Sequence, residues 1–238
     1  MTQEAKPEET RARGAAFALG LNPYGLTYHL GLQGAGGPRA NPRGAGLEGF
    51  IAIAIELGAK TLEIFDPWLR ALGDNDLRAL RDRLRELGMT PVVSSGLMMG
   101  PFESALRSAR FLDAKVIRYG LTTVLCGDRN ALGEKWKTLV ADVRAALADR
   151  GPRALHEGRT LAIENHQDFG SEELVAFCEE SRGVRICYDT GNTFPVARIK
   201  THVQGTERQN RLRDGIGAGP RPCDGGAAGR AWRGRGDP

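Results

Sequence analysis

The chain has 238 residues, of which 41% are hydrophobic and 26% charged, enough apolar material for a sizeable core in one domain or two. Its longest apolar run, FIAIAI at 50–55, falls far short of the ~20 residues of a membrane span. The net charge of +4 gives no ground for a nucleic-acid partner: residues 198–238 hold eight Arg and one Lys against four acids, which leaves 24 basic against 25 acidic groups in the rest.

Residues 1–15 are polar and mixed in charge, a flexible N-terminus without the pattern of a secretory signal. FALGL (17–21) is the first strand candidate. A Gly-rich segment at 31–46 follows, with His29 just before it as a loop residue. TLEIF (61–65), TPVVS (90–94), KVIRYG (115–120), TLAIE (160–164) and VRICYD (184–189) are the further strands. Between the second and third, Leu69, Leu72, Leu77, Leu80, Leu84 and Leu87 trace one helical face. Trp136, Leu139, Val140, Val143 and Leu147 do so between the fourth and fifth. Ser171 is placed to cap a helix that opens with Glu172 and Glu173 and turns Leu174, Phe177 and Cys178 inward. Gly58 and Gly88 fall where helices should stop. Phe17, Phe65, Trp68, Trp136 and Phe177 are assigned to the core. Cys126, Cys178, Cys187 and Cys223 form no CxxC pair, so reduced thiols and a cytoplasmic location are expected.

Strands alternating with helices predict a parallel sheet. An open doubly wound sheet calls for a Gly-rich phosphate turn directly after a strand, and the segment at 31–46 lies too far behind its strand and is too long for that turn. A barrel-type sheet collects polar residues at strand C-termini, and this chain does: Asn22, Glu63 with Asp66, Ser94 with Ser95, Arg118, Glu164 with Asn165 and His166, and Asp189 with Asn192. The expected fold is therefore α/β of the (β/α)8 TIM-barrel type with about six βα units over 16–197.

The stretch LAIENHQDFGSEELVAFCEE followed by VRICYDTGN resembles the xylose-isomerase-like barrel superfamily, the sugar phosphate isomerases and epimerases, in which an IENH-type strand end precedes a DTGN-type one by about 25 residues. The resemblance is sharpest over 160–194 and implies a divalent metal at the barrel mouth. A Glu from the fifth strand, an Asp from the sixth, a His from the seventh and a Glu from the eighth bind it. Glu164 and Asp189 match the first two, as oxygen ligands suited to Mn2+, Mg2+, Co2+ or Zn2+. The metal polarises adjacent carbonyl and hydroxyl oxygens of a sugar or hydroxy-ketone. Glu164 then moves the acidified proton through an enediolate. His166, Asn192 and Glu63 are the expected substrate contacts. Plainer readings stand beside these: a Glu164–Arg118 salt bridge, an Asx-type turn at Asp189, and a Glu63–Arg ion pair. A homodimer is possible.

The seventh- and eighth-strand ligands have no counterpart. His202 follows Asp189 by 13 residues, too few for a crossover between parallel strands. In the tail, 24 of 41 residues are Arg, Gly, Ala or Pro. That composition suits either a disordered basic arm or the product of a reading-frame change in GC-rich DNA, the latter favoured because the strand–helix pattern stops in mid-fold. Negligible turnover of keto-sugars or hydroxypyruvate-like substrates is then expected from this chain, even in Mn2+. A non-catalytic remnant is one alternative function. The other is an endonuclease IV-like enzyme that cuts at abasic sites, for which the four histidines are few beside a three-zinc cluster. Limited proteolysis is expected to clip 198–238 and leave a core ending near residue 197; protected amides throughout the tail would overturn that boundary.

Overall fold

A computed structural model describes residues 18–192, apart from 35, 36, 38, 39, 126 and 127. The expectations for residues 1–15, Phe17, Cys126, Cys223, His202 and the tail lie outside the described residues. The chain begins with β1 (Gly20–Leu21) and a short 3-10 turn, Tyr24–Leu26, followed by α1 (Gly46–Glu56) and β2 (Thr61–Phe65). Next come α2 (Asp66–Arg70), α3 (Asp74–Glu86), β3 (Thr90–Gly96) and α4 (Phe102–Leu112). β4 (Val116–Gly120), α5 (Asp128–Leu132), α6 (Glu134–His156), β5 (Thr160–Glu164), α7 (Ser171–Glu180) and β6 (Val184–Cys187) complete the described part.

The six strands are all parallel and lie in the order of the sequence, β1-β2-β3-β4-β5-β6. A doubly wound sheet reverses its strand order at a switch point. Here each crossover steps to the next neighbour in one direction, as in a βα-barrel sheet. The leucines after β2 belong to two helices, since the chain breaks at Leu72 and Gly73 and restarts with the Gly73 N–H bonded to Asp76 Oδ2 at 3.2 Å. The α7 helix is capped differently from expectation: Gly170 precedes it, and its N–H donates to Glu173 Oε2 at 2.8 Å, while Ser171 is the first helical residue.

Pairing register and the period of two decide what each strand shows to each side. Leu62, Ile64, Val93, Ile117, Leu161, Ile163 and Val184 are buried and share the face covered by helices. Their neighbours Glu63, Ser94, Arg118, Glu164 and Cys187 share the other face, because Phe65 pairs Ser94, Ser94 pairs Arg118, Arg118 pairs Ala162 and Glu164 pairs Cys187. The apolar layer is completed by Phe50 and Ile51 of α1, Leu77 and Leu84 of α3, Leu112 of α4, Val143 and Leu147 of α6, and Leu174 and Phe177 of α7. Trp136 and Phe177 are core, as expected, with Phe169 between them at 5.0 Å from each ring. Phe65 and Trp68 are only half-buried and meet edge to face at 6.0 Å.

The approach to β6 is set by two glycines. Gly183 has φ 82°, and a Cβ there would collide with the carbonyl oxygen of Gly151 on α6. α6 therefore lies directly against the turn that aims β6 at the mouth. Gly183→Ala is expected to cost about 2 kcal/mol or more, since strain in the left-handed region adds to the clash; urea denaturation measures it.

Candidate active site

Arg118 stands at the centre of the polar face. The residue is 9% exposed, and its guanidinium reaches side chains of β2, β3 and β5 and of the β1–α1 connection. Nη1 donates to the Tyr24 hydroxyl at 3.0 Å and to Ser94 Oγ at 3.5 Å, and Nη2 donates to Glu164 Oε2. Nε lies 3.8 Å from Glu63 Oε1. Tyr24 and Ser94 share a further hydrogen bond at 3.0 Å, and the Tyr24 ring lies under the guanidinium at 4.9 Å from its centroid. The β1–α1 connection delivers Tyr24 because its N–H is held by Asn22 Oδ1 at 3.1 Å.

These contacts set the charge states. Burial raises the Glu63 carboxyl above its usual value, the Arg118 charge opposing this and the Glu164 charge adding to it. Burial works against the charge on Arg118, but Tyr24, the Glu164 hydrogen bond and charge, and Glu63 outweigh it and hold the guanidinium above its ordinary value. Cys187, in register with Glu164, has its thiol pushed up by burial and then by Glu63, with Glu164 and Asp189 adding and Arg118 opposing. All four charged groups thus act on one thiol.

Of the expected site residues, Glu164 and Glu63 meet at Arg118. Asp189 adopts the Asx-type turn: Oδ1 accepts from the Gly191 N–H at 2.7 Å and Oδ2 from Asn192 Nδ2 at 2.7 Å. Asn165 fastens this turn to the end of β5, donating to the Asp189 carbonyl at 2.7 Å and accepting from the Asp189 N–H. His166 is half-buried, and its Nδ1 is buried without a hydrogen bond among the described residues. Beside it Asp168, 1% exposed, accepts from Thr122 Oγ1 at 2.7 Å and from the Phe169 N–H at 3.0 Å, tying the β5–α7 loop to the β4–α5 loop. Burial raises its carboxyl, with the Thr122 hydrogen bond the main opposing influence.

Tyr24 and Cys187 were absent from the expected site. The register of β5 against β6 puts Cys187 on the Glu164 face, and nothing near Tyr24 in sequence points to Arg118, 94 residues away.

The implied divalent metal can be tested against these donors. Glu164 Oε2 is taken by a guanidinium, and both Asp189 oxygens serve a turn. Among the described residues no group of three or more His, Cys, Asp or Glu side chains is placed to hold a metal ion. In this arrangement the residues do not fit a divalent site.

A one-directional parallel sheet with charged side chains converging on the face away from the helices defines an α/β protein of the TIM-barrel type. No protein-family model and no curated protein matches the sequence. Solved structures do match. The chain is similar to a D-psicose 3-epimerase solved in the presence of D-fructose, at 17% identity and a TM-score of 0.50, over 62% of this chain and 59% of that one. It is also similar to a xylose isomerase domain protein from Planctomyces limnophilus, at 14% identity and a TM-score of 0.45, over 65% of each chain. A third is a xylose isomerase-like TIM barrel protein from Mycobacterium smegmatis in complex with magnesium, at 21% identity and a TM-score of 0.45, over 63% of this chain and 61% of that one. The chain thus spans less than two thirds of the length of these structures, and at such identities the likeness shows the fold. No helix among the described residues is long and apolar enough to cross a membrane.

Linkage gives the mouth a pH signature. The folded Glu63 carboxyl binds its proton more tightly than the reference value of 4.5, so its contribution to stability is present below that pH and is lost as pH rises through the folded value. Glu63→Gln is expected to remove this loss, so that in urea denaturation the variant gains on the wild type as the pH rises above 4.5.

Proposed function

We propose that the mouth binds a sugar or small hydroxy-ketone and that the chain belongs to isomerase- or epimerase-type chemistry, with Glu164 as the group that takes the proton. The observation that carries this reading is the pair of carboxylates, Glu63 and Glu164, on either side of one buried guanidinium on the polar face of a parallel sheet, Glu164 being the last residue of its strand. Burial raises the proton affinity of the Glu63 carboxyl, which suits that group to hold a proton and return it. The fold shared with a D-psicose 3-epimerase agrees with it.

The chemistry follows from the groups at hand. Glu164 removes the proton from the carbon next to the carbonyl, and the C–H electron pair moves to form the enediolate. Arg118 donates a hydrogen bond to the oxygen on which negative charge develops. Glu63, whose raised proton affinity lets it carry a proton, returns one to the enediolate; exchange with water then resets both carboxyls. His166 and Asn192 lie on the loops after β5 and β6 and contact the substrate hydroxyls in this reading.

Deuterium exchange tests the first half of the reaction by itself. Folded protein in D2O is expected to exchange the carbon-bound proton of a keto-sugar or of hydroxypyruvate, followed by NMR, and Glu164→Gln is expected to slow exchange roughly a hundredfold or more. Sugar binding without exchange would favour a non-catalytic binding role in which the Arg118–Glu164 pair is structural. Absence of both binding and exchange would overturn the reading.

A further inference from the structure

We propose that Arg118, clamped by Tyr24, is the resident cation of the mouth and holds Glu164 in place of a divalent metal. The inference concerns the same mouth but does not depend on the substrate. Three observations carry it. First, the guanidinium already compensates both carboxylates, bonding Glu164 through Nη2 and facing Glu63 from 3.8 Å through Nε. Second, its remaining side is occupied: Nη1 donates to Tyr24 and Ser94, which bond each other, and the Tyr24 ring lies against it at 4.9 Å. Third, no described cluster of three donors exists to outbid it.

Geometry makes the competition direct. A divalent ion on a carboxylate oxygen sits at about 2.0–2.6 Å from it. Any ion on Glu164 Oε2 would therefore lie within roughly 5 Å of Arg118 Nη2, with like charge facing like charge. To admit the ion the arginine must leave, and leaving breaks its hydrogen bonds to Glu164, Tyr24 and Ser94 and the contact with the Tyr24 ring. Tyr24 is thus a positioning residue: it touches Arg118 and acts through it. Of the five N–H groups of the guanidinium, only the second on Nη2 has no partner among the described residues, and that one is left for a substrate oxygen.

Mn2+ titration of the full chain, followed by electron paramagnetic resonance, tests this without reference to turnover. Wild type and Glu164→Gln are expected to give the same titration, with no Glu164-dependent ion at millimolar Mn2+. Arg118→Gln is expected to bind Mn2+ at least tenfold more tightly than wild type, and the Arg118→Gln/Glu164→Gln double variant to lose that gain. One ion per wild-type chain that disappears in Glu164→Gln would overturn the proposal, as would an Arg118→Gln protein that folds and gains nothing. If Arg118→Gln does not fold by near-ultraviolet circular dichroism, Tyr24→Phe decides. It keeps the arginine and both carboxylates but loosens the clamp, so a Glu164-dependent gain in Mn2+ affinity supports the proposal and an unchanged titration overturns it.

Discussion

A carboxylate taken out of water needs a counter-charge, and Arg118 meets that need for two strands at once. Glu63 on β2 and Glu164 on β5 are 19% and 12% exposed at their side chains, and among the described residues Arg118 is the cation paired with both. Removing one partner of such a buried pair leaves the other uncompensated, which is why pairs of this kind cost several kcal/mol to break although they add little net stability when intact. The polar face of the sheet is organised around this requirement. Ser94 sits in register with Arg118, Cys187 in register with Glu164, and Tyr24 folds over from the loop after β1.

That arrangement depends in turn on the sheet. With strands in sequence order and side chains alternating, one register error of a single residue would send Arg118 to the helical side and Ile117 to the mouth. The apolar face guards against it, because Ile64, Val93, Ile117 and Ile163 are all fully buried and a slip would exchange them for Glu63, Ser94, Arg118 and Glu164 or their apolar neighbours. The helical layer therefore specifies the geometry of the polar face by packing alone.

A second polar cluster lies where β2 enters α2. Asp66 is fully buried and bonded to Arg70 at 3.1 Å, with Ser108 and Ser104 of α4 at 3.4 and 3.5 Å. Burial raises its carboxyl, with the Arg70 charge opposing. Arg70 also donates to the Met99 carbonyl at 2.7 Å and lies over Gly100, whose φ of 133° and missing Cβ leave room for the guanidinium. The loop after β3 is thereby fastened to α2. Together with the Thr122–Asp168 bond between the loops after β4 and β5, this gives the mouth fixed walls.

The alternation of apolar strands and amphipathic helices is a local property, and the sequence by itself determined it: the strand positions, the helix-ending Gly58 and Gly88, and polar residues gathered at strand ends can all be read within a few residues of each site. The face shared by Glu164 and Cys187 was not legible in the same way, since parity relates each residue only to its own strand and the register of β5 against β6 joins them. Only the tertiary structure decided which groups meet. Arg118 finds Ser94, Glu164 and Tyr24 across 24, 46 and 94 residues, and no periodicity carries information over such distances. The same limit explains the split leucine helix at Gly73, where a local cap overrode a continuous pattern, and the partners of Asp189. A carboxylate before a Gly suits a turn and a metal equally well in sequence. Its two oxygens were assigned by where the chain places the Gly191 amide and the Asn192 side chain.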